Sequence, residues 1–277
     1  MRISQMVNLS SARYQNISAA QMKKSSDRVS SGYRINSAAD DAAGLAISER
    51  MRSQIRGLNV ASNNIQNGIS MIQVADGALS GVTDTLQDVR EKLVEAASST
   101  DANAIASIRS YVDSALKGIN DVLSNTKFNG KNLFSTTEDV DFKIQLGANA
   151  GESTTVTFGK IDTSTLFGDA NTTIIGDTED DFTSDSASTA IADIDKALKN
   201  VLEVRASAGA TSKRLEHSLN VNGITSENLT DAESRIRDVD VAKESLNFTK
   251  NNILQQSAQA MMAQANQNAY GILDLLR

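Results

Sequence analysis

Between residues 44 and 98 the apolar positions repeat with helical spacing. Ile65, Ile69, Ile72, Ala75, Leu79, Val82, Leu86, Val89 and Leu93 recur about every 3.5 residues, the period of a helix wound left-handed against a partner. No proline interrupts the stretch, and about 55 residues at about 1.5 Å each would make a rod of roughly 80 Å. So long a seam must be covered by other long helices, from this chain or from further copies. A second seam, Ile105, Ile108, Val112, Leu116, Ile119 and Leu123, follows the short polar link at 98–103, and a link this brief predicts an antiparallel helical hairpin. Asn129-Gly130 closes it.

The middle of the chain changes period. Phe142, Ile144 and Leu146 alternate with Lys143 and Gln145, and Val156 and Phe158 alternate after Gly147-Ala148-Asn149-Ala150-Gly151, a β-hairpin pattern with a glycine-containing loop. From Asp162 to Asp195 there is no Lys or Arg while Ser, Thr and Asp abound, the composition of a solvated, exposed surface stretch. Helical spacing returns at Ile191, Ile194, Leu198 and Val201 and runs past Leu219, with Asn222-Gly223 as a candidate break. Residues 233–277 carry Ile236, Val239, Leu246, Ile253, Leu254, Met261, Met262, Ile272, Leu275 and Leu276. At the other end Ile3, Val7, Tyr14 and Ile17 form a thin stripe with polar gaps at Ser10 and Gln21, too narrow to offset the entropy of ordering an isolated helix. Two sticky helical ends thus flank a helical body. The fold expected is mainly α, a long antiparallel helical bundle or coiled coil built from both chain ends, with a small β-hairpin region in the middle.

Between the first helix and the long one, Gly32 acts as a breaker, Ser37-x-x-Asp40 is similar to a capping box, and acids at 40 and 41 suit a first helical turn. A metal site at Asp40 and Asp41 is disfavoured because adjacent helical residues do not share a face.

Composition narrows the chemistry. Aromatics are 4% with no Trp, so the apolar content is the Ala, Ile, Leu, Val and Met of helix seams. Pro 0 contrasts with the roughly 14 that average usage would supply. Cys 0 excludes disulfides and thiolate sites. A net charge of −7 offers no basic stripe for nucleic acid. No apolar run approaches the ~18 residues of a membrane span, and no Sec-type leader is evident, so export, if any, takes another route. The single histidine, His217, has no second His or Cys to complete a dyad or metal site, and no glycine-rich phosphate loop follows a strand. Neither an enzyme nor a cofactor is indicated.

Several motifs, in order, carry a family likeness. Residues 30–44, Ser-Ser-Gly-Tyr-Arg-Ile-Asn-Ser-Ala-Ala-Asp-Asp-Ala-Ala-Gly, resemble the signature of bacterial flagellins, as do Ile65-Gln66-Asn67-Gly68-Ile69-Ser70 and Phe128-Asn129-Gly130-Lys131-Asn132-Leu133. Ser234-Arg235-Ile236-Arg237-Asp238-Val239-Asp240, Ile253-Leu254-Gln255-Gln256, Ala263-Gln264-Ala265-Asn266-Gln267 and Leu275-Leu276-Arg277 are similar to later flagellin motifs. The resemblance covers about 1–160 and 188–277. It implies the subunit of a swimming filament: an inner tube from 1–43 with 225–277, including spoke segments, and an outer tube from 44–187 with 188–224. It assigns inner-tube packing to Ile3, Val7, Tyr14, Ile17, Ile253, Leu254, Met261, Met262, Ile272, Leu275 and Leu276, and spoke or capping roles to Arg34, Asn36, Ser37, Asp40 and Asp41.

The resemblance also implies partners: further copies in a helical homopolymer, a flagellar export chaperone at about 231–277, filament cap and hook-junction proteins, and the flagellar type III export apparatus. No nucleic acid and no membrane are expected. Both ends should be disordered in the monomer and fold on assembly. Some flagellins are seen by Toll-like receptor 5 through Gln-Arg-x-Arg-Glu-Leu on the long helix and a Glu on the next. Here the positions read Gln87-Asp88-Val89-Arg90-Glu91-Lys92 with Tyr111 near the expected Glu, so Arg90 and Glu91 stand beside a charge reversal and an apolar-to-basic change, which implies reduced signalling. O-glycosylation of exposed Ser and Thr between about 153 and 189 fits the family, whereas Asn228-Leu229-Thr230 reads as a chance match. The nearest alternative is the hook–filament junction protein, with flagellin-like ends but no polymerising role. A coiled-coil adhesin would not need both terminal signatures.

Overall fold

The computed structural model describes residues 2–135, 139–159 and 184–275. The elements run α1 (Arg2–Ser31), α2 (Ala42–Ser98), α3 (Ala102–Asn125), β1 (Lys127–Phe128), β2 (Lys131–Asn132), β3 (Val140–Gln145), β4 (Ser153–Phe158), and then, labelled here in chain order, α4 (Ser184–Arg237) and α5 (Val241–Leu275). The expected mainly helical fold with a small β region is what forms. Residues 160–183, which take in most of the Lys- and Arg-free stretch 162–195, lie outside the described residues.

The chain divides into two compact units, Met1–Ile55 with Glu227–Arg277, and Arg56–Ser226. In the second unit the 3.5-residue seam is the core. Ile65, Ile72, Ala75, Leu79, Val82, Leu86, Val89 and Leu93 of α2 are all buried, and α3 adds Val112, Leu116, Ile119 and Leu123. From α4 come Ala187, Ala190, Ile194, Ala197, Val201, Ala208 and Leu215, whose small alanines let the third helix approach closely. Two cross-helix ion pairs, Arg205–Asp76 at 2.9 Å and Arg90–Asp195 at 2.7 Å, run α4 antiparallel to α2.

Local chemistry explains the breaks. Asp101 caps α3 by accepting from the Asn103 amide. Asn129 and Gly130 both take positive φ, 50° and 78°, as the central pair of a two-residue hairpin turn joining β1 and β2 requires. β3 and β4 pair antiparallel from Val140↔Phe158 to Gln145↔Ser153, and Phe158 lies edge-on to Phe134 and Phe142 at 5.8 and 6.1 Å. Their loop is held by Glu152, which accepts from the amide and side chain of Asn149, both at 2.9 Å. The hairpin rests on α2 where side chains are absent: a Cβ at Gly57 would meet that of Ala148 at 2.7 Å, and one at Gly68 would meet Ile144.

One expected break is not there. α4 passes through Asn222-Gly223 without interruption. Asn222 is buried and donates to the Leu146 carbonyl at 2.6 Å, so the residue that looked like a turn former clips the β-hairpin, and a single helical glycine costs only about 1 kcal/mol.

Leu79→Ala should lower the unfolding free energy by about 2–5 kcal/mol, the range for opening a cavity at a fully buried leucine, whereas Gly77→Ala, on a helical site with open space around it, should raise it by about 0.5–1 kcal/mol. Urea titration followed by circular dichroism checks both signs.

Candidate assembly surfaces

In the terminal unit α1 packs against α5. The pair is antiparallel, since Arg28 near the end of α1 faces Glu244 near the start of α5 at 3.9 Å. The covered positions follow a heptad rhythm: Ser11, Gln15, Ser18, Met22, Ser25 and Val29 on α1, and Glu244, Phe248, Asn251, Gln255, Ala258, Met262 and Ala265 on α5. Ser18, Ser25, Glu244 and Asn251 are the buried residues among them. Most of this seam is polar or small. Met22, Val29, Phe248 and Met262 are half-buried in it, but other large apolar side chains look outward: Leu9, Tyr14 and Ile17 are 67%, 67% and 48% exposed on α1, and Leu246, Ile253, Leu254 and Met261 are 72%, 58%, 45% and 60% exposed on α5.

The inner-tube residues named from the sequence therefore divide. Tyr14, Ile17, Ile253, Leu254 and Met261 are exposed in the single chain, and Met262 is half-buried in the seam. The side chains of Ile3, Val7, Ile272 and Leu275 lie outside the described ones, and Leu276 lies outside the described residues. The α1 stripe read from Tyr14 and Ile17 sits one position away from the seam that meets α5, which uses Gln15 and Ser18.

The spoke residues do converge. Gly32, with φ 76°, ends α1. Tyr33 bridges Asp238, the Arg34 amide donates to Arg237 O at 2.6 Å, and the Val239 amide donates to Gly32 O at 3.0 Å. The Arg34 guanidinium donates to the Ile236 carbonyl. Arg237 stacks 4.8 Å over the Tyr33 ring and donates to Glu49 at 2.6 Å, while Ser48 donates to Glu233 at 2.9 Å. Neither Tyr33 nor Arg237 was singled out for this role from sequence, although both lie inside the quoted motifs.

Asp40 and Asp41 have separate tasks. Asp41 caps α2, accepting from the Gly44 amide at 2.9 Å, so the cap is Asp41 rather than Ser37. Asp40 accepts from the amides of Asn36 and Ser37 and pairs with Lys24 at 2.6 Å. The Lys24 ammonium, helped by those amides and opposed by partial burial, holds its carboxyl down to about 2. Asn36 also donates to Ser31 Oγ at 2.8 Å. Asp240, which the apolar spacing does not mark as a helix start, caps the N-terminus of α5 by accepting from the Lys243 amide at 3.1 Å.

In the other unit Gln87, Asp88, Arg90, Glu91, Lys92 and Tyr111 all reach solvent. Arg90 is held by Asp195, and Lys92 by Glu95 at 2.8 Å, which raises its ammonium above the ordinary lysine value. His217 is an exposed residue of α4. Among the described residues no His, Asp and Glu cluster could hold a metal, and no helix is long and apolar enough to cross a membrane.

A model of the bacterial flagellin N-terminal helical region matches residues 3–139, and one of the bacterial flagellin C-terminal helical region matches residues 191–276. A flagellin of Halalkalibacterium halodurans is 44% identical over 96% of this chain and 95% of its own length. A flagellin of Bacillus subtilis is 44% identical over 95% and 94%. In fold, the chain is similar to Bacillus cereus FlgL, with a TM-score of 0.50 at 14% identity over 68% of this chain and 98% of that one.

Because the folded pKa of Asp40 lies below the ordinary aspartate value of 3.8, its ionised form stabilises the junction above that value, and the contribution fades as pH falls from about 3.8 through about 2. The stability gap between wild type and Asp40→Asn should be constant above about pH 5 and close on acidification across that window. Urea melts of the assembled chain at stepped pH measure it.

Proposed function

The chain belongs to the bacterial flagellin family of structural filament subunits, and from that premise we propose how this member assembles. It polymerises with identical copies into the flagellar filament. The observation that carries the mechanism is the inverted terminal pair: a seam of Ser18, Ser25, Glu244 and Asn251 inside and Tyr14, Ile17, Leu246, Ile253, Leu254 and Met261 outside. Apolar surface left on the outside contributes only when something covers it. Identical neighbours meeting head to tail around an axis provide that cover, and because the contact does not close on itself it propagates as a helix.

On this reading residues 1–43 with 225–277 form the inner tube and residues 44–187 with 188–224 the outer one. Both ends stay largely unfolded until the neighbours arrive, because the seam alone offers little burial to offset their ordering entropy. Loosely folded ends without proline or cysteine also suit passage through the flagellar type III apparatus to the cell exterior, with an export chaperone covering about 231–277 and the cap and hook-junction proteins meeting the ends of the filament. The role is structural, with no catalytic centre. The outward apolar faces of both terminal helices favour a polymerising subunit over a junction protein, which would need cover at one joint only.

Removing residues 238–277 should leave a soluble chain that fails to elongate sheared filament seeds, whereas the full chain elongates them. Light scattering and electron microscopy read the outcome, and normal filaments from the truncated chain would refute the mechanism. Failure of the full chain to elongate would favour the junction reading.

For immune recognition, the patch at Gln87, Asp88, Arg90, Glu91, Lys92 and Tyr111 should signal weakly through Toll-like receptor 5. Asp88 and Lys92 depart from the recognised pattern, and Arg90 already has Asp195 as its partner. Asp88→Arg with Lys92→Leu should raise reporter-cell activation at least ten-fold. Strong activation by the unaltered chain would sink this account.

A further inference from the structure

One layer of the terminal seam on α1 is degenerate. Its innermost layer reads Ser11, Ser18 and Ser25, the same residue at each heptad, so sliding α1 by one heptad, about 10 Å, would set serine where serine had been. The facing layer on α5 does not repeat: it reads Glu244, Asn251, Ala258 and Ala265. The second α1 layer, Gln15, Met22 and Val29, is half-buried and varies in polarity, but the fully buried discrimination by charge and amide lies in that asymmetry. Glu244 is 7% exposed and Asn251 8%, and the cation facing Glu244 is Arg28, 3.9 Å away. Asn247 also donates to Glu244, at 3.3 Å.

Resting on the filament reading above, we infer that Glu244 and Asn251, with Arg28, are the specificity-determining residues that set the axial register of α1 against α5 in every subunit. A one-heptad slip would separate Glu244 from Arg28 and leave a buried carboxylate without a cation, which is far worse than any loss among the serines. A lone buried asparagine in a coiled seam acts the same way, penalising every alignment but the one that accommodates its amide, at the expense of stability. In a filament the register error of each subunit is handed to the next, so a small bias per copy decides whether the lattice grows.

The competing source of register is the backbone junction at Gly32–Val239 and Tyr33–Asp238, which ties one end of the pair. The test leaves that junction intact. In this cysteine-free chain, Asn16→Cys and Gln256→Cys, both exposed, carry spin labels, and labelled subunits are diluted into unlabelled filaments. Pulsed electron resonance should give one narrow distance. In Asn251→Leu it should broaden or gain a second population about 10 Å away, with at least ten-fold slower seeded elongation. One unchanged distance with normal elongation would show that the junction alone sets the register. Independently, Arg28→Glu and Glu244→Arg should each slow elongation at least ten-fold and the double swap should recover most of it. A double swap as slow as either single would also overturn the assignment. Failure of the unaltered chain to elongate would instead refute the filament reading on which this rests.

Discussion

Everything in the terminal unit follows from where burial is withheld. The two helical seams of this chain obey opposite rules. In one, Leu79, Val82, Leu86, Val89 and Leu93 are sealed from water by helices of the same chain, and the stabilisation scales with the apolar area removed from solvent. In the other, the buried residues are Ser18, Ser25, Glu244 and Asn251, with Met22, Val29, Phe248 and Met262 half-buried beside them, while Tyr14, Ile17, Leu246, Ile253, Leu254 and Met261 face out. Closing the second seam within one chain gains little and leaves most of the hydrophobic driving force unused. That unused part is what association can draw on, so a chain with one self-sufficient seam and one dependent seam is a stable body with sticky ends.

The same division explains how the chain tolerates long helices without proline. Among the described residues the helical path of the terminal unit is interrupted at 32–41 and 238–240, and the two interruptions lie against each other. Arg237 spans them, stacked on Tyr33 and bonded to Glu49, while Arg34 closes onto the carbonyl end of α4. Arg34 and Arg237 thereby sit where terminal carbonyls lack intrahelical partners and where the helix dipole favours a cation. The junction is a polar clasp between helix ends, fixed by hydrogen-bond geometry and anchored by Ile35, whose side chain is fully buried within it.

Much of the fold was legible because burial wrote it into the pattern. The α2 seam, the α3 seam and the β3–β4 alternation each mark one face that water must not reach, and those faces are the buried ones. The terminal seam was not legible for the converse reason. Apolar spacing shows where a helix needs cover, and in α1 that stripe belongs to Tyr14 and Ile17, which face away from α5. The face that meets α5 is written in serine and glutamine, residues equally at home in water, so no hydrophobic period could single it out. Asn222 misled for a related reason: its turn propensity is local, and a buried hydrogen bond to the hairpin outweighs it. Asp240 carried a readable signal, an acid three residues before an amide it caps, obscured by the apolar run on either side.

The two terminal helices do not make equal demands. On α5, Leu246 and Ile253 are seven residues apart and share one face, Leu254 and Met261 share another, and Phe248 and Met262 lie in the seam. A helix with exposed apolar residues on more than one face gains most when it is covered on each of them. On α1 the outward stripe is narrow and charged residues such as Arg13, Lys23 and Lys24 are exposed beside it. The partner of such a pair therefore cannot be a single helix laid along one side, since that would satisfy α1 and leave α5 still wet. Only an arrangement in which several copies surround each α5 removes both exposures at once, and repeated packing of identical chains about a common axis is the simplest geometry that gives every copy the same set of neighbours.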